Sequence, residues 1–113
     1  MDLHDLDALI QQRPDPSPAY HEFLRTGAMS AGLYHLAVGR IDRQGIHRED
    51  ELYVVLRGQA TLTVAGEQRR VGPGSAVYVA AGVEHRFHSV TDDLEVLVVF
   101  APAESTGPLL TAD

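Results

Sequence analysis

A chain of 113 residues with 44% apolar content suits one compact unit built around one hydrophobic core. Its formal charge of -7, with nine basic residues scattered along the sequence, excludes a nucleic-acid partner, which would need clustered positive charge. All nine are Arg, and the chain contains neither Lys nor Cys, so Schiff-base chemistry, thiolate nucleophiles, disulfides and thiolate-held zinc are ruled out. Any metal must then be held by imidazole, carboxylate, amide or water.

The amino terminus, Met1-Asp2-Leu3-His4-Asp5-Leu6-Asp7, is acidic where a secretory signal would be basic, and no apolar run approaches membrane-spanning length. A cytoplasmic protein with no membrane partner is the expectation. Leu3, Leu6, Leu9 and Ile10 recur at helical spacing, with Asp2, Asp5 and Asp7 placed to favour the positive end of a helix dipole. The spacing predicts one short amphipathic helix that stops before Arg13-Pro14-Asp15-Pro16-Ser17-Pro18, a stiff connector. Residues 1–19 thus form a helix and proline-rich connector packed on the outside of a single domain spanning residues 20–113.

From Tyr20 the periodicity changes to strands: Tyr20 to Thr26, Met29 to Val38, Glu51 to Arg57, Gln59 to Val64, Gln68 to Val71, Ser75 to Val79, His85 to Val90 and Leu94 to Ala101. Turns are predicted at Thr26-Gly27, Ala65-Gly66-Glu67, Gly72-Pro73-Gly74, Ala81-Gly82 and Thr91-Asp92-Asp93. Many short strands with evenly spaced turns make an all-β sandwich or barrel. The runs Leu52 to Leu56 and Leu94 to Phe100 are apolar on both faces, so one face fills the core and the other meets a second layer or a second copy, and a homodimer is expected.

Two stretches about thirty residues apart place metal-competent side chains at the mouths of hydrophobic strands: Gly45 to Gly58, with His47 and Glu51, and Gly74 to His85. On one straight strand His47 and Glu51 would share a face yet stand roughly 13 Å apart. For both to reach one ion, with metal bonds of about 2.1 Å, the chain must bend at Arg48-Glu49-Asp50, a charged triplet suited to an exposed turn. Period-two counting puts Glu51, Tyr53 and Val55 on one face, which favours an inward Glu51. The same residues also fit a metal-free polar pocket. His88 falls on the opposite face from His85 and reads as a surface residue, and His4 and His21 read as surface or packing residues.

These stretches resemble the paired motifs of the cupin superfamily, small double-stranded β-helix (jelly-roll) barrels. His47, Glu51 and Gly58 match the second His, the Glu and the closing Gly of the first motif; Gly74, Gly82 and His85 match the second. Where cupins carry a first His, a Pro and a final Asn, this chain has Gly45, Ala80 and Ser89. The resemblance implies an all-β cupin barrel with a short amino-terminal helix, holding one divalent metal (Fe, Mn, Ni or Zn) through His47, Glu51 and His85. Gln44 and His35 are the further donors that the sequence offers in place of the missing His.

Tyr53, Phe87 and Tyr34 are the expected walls of a small-molecule pocket, and Arg57 is a lesser candidate for meeting an anionic substrate. A two-His-one-carboxylate set leaves coordination positions open, which suits a non-haem Fe(II) dioxygenase or, with a redox-inert ion, an isomerase. No residue stands out in the sequence as a dedicated general base, so a non-catalytic module, either a small-molecule sensor or a structural dimer, stands beside the enzyme reading.

Overall fold

The computed structural model describes residues 1–13 and 19–105. The proline-rich positions 14–18 and the end of the expected domain, 106–113, lie outside the described residues. A short helix, α1 (Leu6–Gln11), precedes six strands: β1 (Tyr20–Arg25), β2 (Ser30–Leu36), β3 (Asp50–Val64), β4 (Glu67–Val71), β5 (Ala76–Val79) and β6 (His85–Ala101). All pairings are antiparallel, in the order β1-β2-β6-β3-β4, with β5 added to the free side of β3.

Asp5 caps α1, its carboxylate accepting from the Ala8 N–H at 3.2 Å, so the helix starts later than the periodicity predicts and Leu3 stays exposed. The helix is pinned to the outside of the sheet by Asp7 to Arg57 at 3.0 Å, and just beyond its end Arg13 pairs with Glu95 of β6. Arg57 is therefore committed to the outer surface and does not face the metal-competent residues.

Two pairs of predicted strands are each one long strand. β3 and β6 pair from Asp50↔Ala101 to Val64↔His85, with register shifts between Val55 and Thr61. Thr91-Asp92-Asp93, predicted as a turn, is instead an irregular stretch inside β6. The reason sits opposite: Gly58 has φ +89, and a Cβ there would lie 2.1 Å from the Asp93 carbonyl oxygen. Only glycine admits that close approach, so the ladder absorbs its extra residues as bulges and bends without breaking. Arg70 holds the bulged segment from β4, donating to the Ser89 carbonyl at 2.9 Å and to Thr91 Oγ1 at 2.8 Å.

Alternation along the long strands decides which side chains face inward. Glu51, Tyr53 and Val55 of β3 are buried, as are Leu94, Val96, Val98 and Phe100 of β6 and Tyr34 and Leu36 of β2. Each fully buried aliphatic of this set contributes roughly 1.5–3 kcal/mol. On the opposite face Leu52 and its cross-strand partner Tyr78 remain 40% and 62% exposed. Glu51 is thus the one carboxylate of the inward row Glu51, Tyr53, Val55, placed at the mouth of the core.

Candidate metal centre

His47 stands in the segment before β3, Glu51 is the second residue of β3, and His85 opens β6. The bend expected between His47 and Glu51 is present at Arg48-Glu49, and two hydrogen bonds fasten it to the turn that delivers His85. Gly82 N–H donates to the His47 carbonyl at 2.8 Å, and Ala81 N–H donates to Asp50 Oδ1 at 2.9 Å. Gly82 has φ +78, a left-handed conformation that glycine adopts without cost. Val64↔His85 pairing then sets the register of His85 on the sheet.

One ligand atom from each of His47, Glu51 and His85 falls within 4.8 Å of the other two. Glu51 Oε1 lies 3.2 Å from His85 Nε2 and 4.0 Å from His47 Nε2. All three residues are 5% exposed or less. Both imidazole Nε2 atoms, His47 Nδ1 and both Glu51 oxygens are buried without a hydrogen-bond partner among the described residues. Unpaired buried polar atoms are costly, and a cation among the three converging ligand atoms would satisfy one from each residue. The donor set, imidazole with carboxylate, suits Fe, Mn, Ni or Zn.

The electrostatics of the two histidines differ. Burial pushes the His47 imidazole below its ordinary value, only partly offset by Glu51. Burial also opposes the charge on His85, but the closeness of the Glu51 carboxylate and the Val83 carbonyl outweighs it and its pKa is raised. The Val83 carbonyl stands 2.9 Å from His85 Nδ1 and accepts the proton there, which leaves Nε2 as the ring atom that faces Glu51.

Three carboxylates around this cluster escape a reading of the sequence. Asp42, 4% exposed, accepts from the Tyr34 hydroxyl at 2.8 Å, the Phe87 N–H at 2.8 Å and the Gln44 N–H at 3.1 Å, tying the segment before His47 to β2 and β6. Glu49, expected on an exposed turn, is buried because its Oε2 accepts from Ser105 N–H at 3.2 Å. Glu104 reaches inward to place Oε2 3.7 Å from His47 Nδ1. Burial, then the charges of Glu51 and Glu49, push the Glu104 carboxyl up to about 7. Asp42 lies in a polar, weakly patterned loop and Glu104 beyond the last strand, so neither has a spacing signal; the parity of Glu49 relative to Glu51 was its only cue.

The further donors separate. Gln44 lies beside the centre, its Oε1 accepting from the Tyr53 hydroxyl at 3.2 Å. His35 is not brought there: it lies on the outer face of β2, paired with Glu95, whose Oε1 is 3.3 Å from its Nδ1. Tyr53 packs against His85, ring centroids 5.9 Å apart, and Phe87 and Tyr34 stack behind it. Burial and the Glu51 charge push the Tyr53 hydroxyl well above its ordinary pKa.

All three aromatics are buried in the core, Tyr53 directly behind His85. An open cleft of about 780 Å³ is lined by Gln44, Gly45, Ile46, Thr63, Glu84, His85 and neighbours. Gly45 thus sits with His85 on the cleft, at the position where the first motif lacks its His.

The Cupin domain family model matches residues 32–101, which include the whole cluster. The chain belongs to the cupin family. It is 50% identical over 100 residues to the uncharacterized protein SCO3923 of Streptomyces coelicolor, covering 88% of this chain and 95% of that one. Among solved structures it is similar to TT1209 from Thermus thermophilus, with a TM-score of 0.77 at 28% identity over 91% of this cupin and 99% of that chain. It also resembles the DMSP lyase DddQ from Ruegeria pomeroyi, with a TM-score of 0.63 at 26% identity over 77% of this cupin and 42% of that chain. The cupin therefore shares its fold with at least one enzyme. No helix among its described residues is long and apolar enough to cross a membrane.

Proposed function

We propose that this cupin is a mononuclear metal-dependent enzyme acting on a small organic molecule. The observation that carries the reading is the convergence of His47, Glu51 and His85, buried and with their inward atoms unpaired. His47 Nε2, a Glu51 oxygen and His85 Nε2 would hold the ion. When bound, a redox-active ion supplies a place for O₂ and substrate to meet, and a redox-inert ion supplies polarisation of a carbonyl or hydroxyl, so the reaction is an oxygenation or an isomerisation.

The chain's own residues do the rest. Val83 holds the His85 proton on Nδ1, Asp42 fixes the segment before His47, and Tyr53 closes the core side of the centre. Substrate approaches from the cleft beside Gly45 and His85. A homodimer belongs to the same proposal, supported by the exposed Leu52–Tyr78 pair on the outer face, and light scattering on the purified protein reads it directly.

A second reading is supported by how deeply the ligand atoms lie: a site this closed also suits a module that binds metal or a small molecule without turnover. Elemental analysis of protein purified without chelator or nickel resin comes first, with about one equivalent of a divalent metal expected. Oxygen uptake and product analysis on the metal-loaded protein with thiols, diketones, phenols and hydroxy-ketones then separate the readings. Turnover on any of them supports the enzyme; tight ligand binding with no turnover across the panel moves the conclusion to the binding module.

A further inference from the structure

The segment that follows β6 crosses back over the cluster and is fastened at three points. Glu104 N–H donates to Ser30 Oγ at 2.8 Å, the Glu104 carbonyl accepts from Arg25 at 2.6 Å, and Ser105 N–H donates to Glu49 Oε2 at 3.2 Å. Ser30 is fully buried and Glu49 nearly so, which makes these fixed anchor points at the inner end of β2 and at the His47 bend. The result is that a carboxylate from the far end of the described chain is aimed at His47.

Its place relative to the imidazole defines what it can do. Glu104 Oε2 lies 3.7 Å from His47 Nδ1, whereas Glu51 Oε1 faces Nε2 on the other side of the ring. The His47 ring therefore stands between Glu104 and the point where the three ligand atoms converge, so Glu104 is not positioned as a fourth ligand. His85 shows the same division: Nδ1 faces the Val83 carbonyl and Nε2 faces Glu51. Behind His85 the Val83 carbonyl is hydrogen-bonded at 2.9 Å, whereas His47 Nδ1 is buried without a hydrogen-bond partner among the described residues and faces the Glu104 carboxylate at 3.7 Å. An acceptor behind a ligating imidazole fixes the tautomer, holds the ring plane and raises the basicity of the ligating nitrogen.

We propose that Glu104 is a positioning residue for the metal centre, accepting the His47 Nδ1 proton and so presenting Nε2 to a divalent cation. This rests on the metal reading of His47, Glu51 and His85. Because Glu104 is held by Ser30 and Arg25, and Ser105 beside it by Glu49, the closing segment and the metal site are coupled: the ion is bound firmly only while residues 102–105 lie in this position.

The test is a competition titration of Zn(II) against a chromophoric chelator, with wild-type protein, Glu104→Ala and Glu104→Gln, beside long-range ¹H–¹⁵N spectra of the zinc-loaded histidines. Glu104→Ala is expected to weaken Zn(II) about 10- to 100-fold. Glu104→Gln, whose amide oxygen still accepts from Nδ1, keeps most of the affinity. Wild-type spectra should show His47 with its proton on Nδ1 and zinc on Nε2, a readout that needs no variant to fold. An Ala variant within about twofold of wild type, a Gln variant as weak as Ala, or zinc on His47 Nδ1 would each overturn the role of Glu104 while leaving the metal site standing. A wild-type protein that binds no divalent metal overturns the proposed function itself, and this inference with it.

Discussion

His85 takes its orientation from within its own turn, the Val83 carbonyl lying two residues before it, whereas His47 faces a carboxylate brought in from beyond the last strand. One arm is local and the other depends on the whole fold. The local arm needs only a glycine turn and a strand register, so it forms wherever that hairpin forms. The distant arm needs β1, β2 and β6 to be in place before Glu104 arrives, because its anchors are Arg25 and Ser30. Any loosening of the metal site should therefore begin on the His47 side.

The largest change expected from breaking the centre comes at Glu51, which faces both imidazoles. Glu51→Gln keeps the volume but removes the only carboxylate of the converging set, and metal stoichiometry should drop from about one to near zero with the far-ultraviolet spectrum unchanged. Retention of a full equivalent would remove Glu51 from the centre.

Next are the two histidines compared with each other. His47→Ala and His85→Ala should each weaken binding by more than the roughly 100-fold upper range expected for losing an outer partner, with the barrel still folded. The apo proteins should differ, because His85 packs on Tyr53 and is held in its turn, while His47 packs against Phe100 at 5.0 Å in a segment without strand pairing. His85→Ala is thus expected to lower the apo melting temperature more. Equal metal content in both variants and wild type would sink the assigned ligands.

This contrast also explains what the sequence disclosed. His47, Glu51 and His85 sit at strand mouths with glycines at fixed distances, and period-two alternation turned Glu51 inward, so local rules carried them. The all-β class followed from the same alternation and from glycine turns. Gly58 misled, since a residue that usually marks a break here admits the Asp93 carbonyl inside a continuous bulged ladder. Asp42, Glu49 and Glu104 were hidden because their burial comes from contacts distant in sequence: Asp42 with Phe87, Glu49 with Ser105, Glu104 with Ser30. His35 was misjudged for a related reason, as only the β2–β6 register turns it toward Glu95 and away from the core.

Asp42 offers the next largest effect, this time on stability. Its carboxylate takes four hydrogen bonds, two of them from Gln44, and Asp42→Ala leaves the buried Phe87 N–H and Tyr34 hydroxyl without this acceptor. Bonds to a charged group contribute about 1.5–3 kcal/mol each, and the losses overlap, so a cost of about 3 kcal/mol is expected. At roughly 4–8 °C per kcal/mol for a domain of this size, chemical and thermal denaturation should both register it clearly. A melting temperature unchanged in Asp42→Ala would mean that the segment before His47 is not fastened through this carboxylate, and the His47 arm would lose its second long-range support.

The smallest effect sharpens the comparison from the local side. Gly82 has φ +78 but open space around its missing Cβ, so Gly82→Ala meets no clash and costs only the left-handed backbone penalty, roughly 1–2 kcal/mol. Gly58→Ala, by contrast, would drive a methyl into the Asp93 carbonyl. If the His85 arm is as self-contained as its Val83 contact implies, Gly82→Ala should lower stability slightly and leave the Zn(II) affinity within about threefold of wild type, since the turn can keep its shape under strain. A larger fall in affinity than in Glu104→Ala would reverse the ranking of the two arms. The Gly82–His47 hydrogen bond would then be the principal joint of the centre, and the two arms would answer to one turn instead of to opposite ends of the fold.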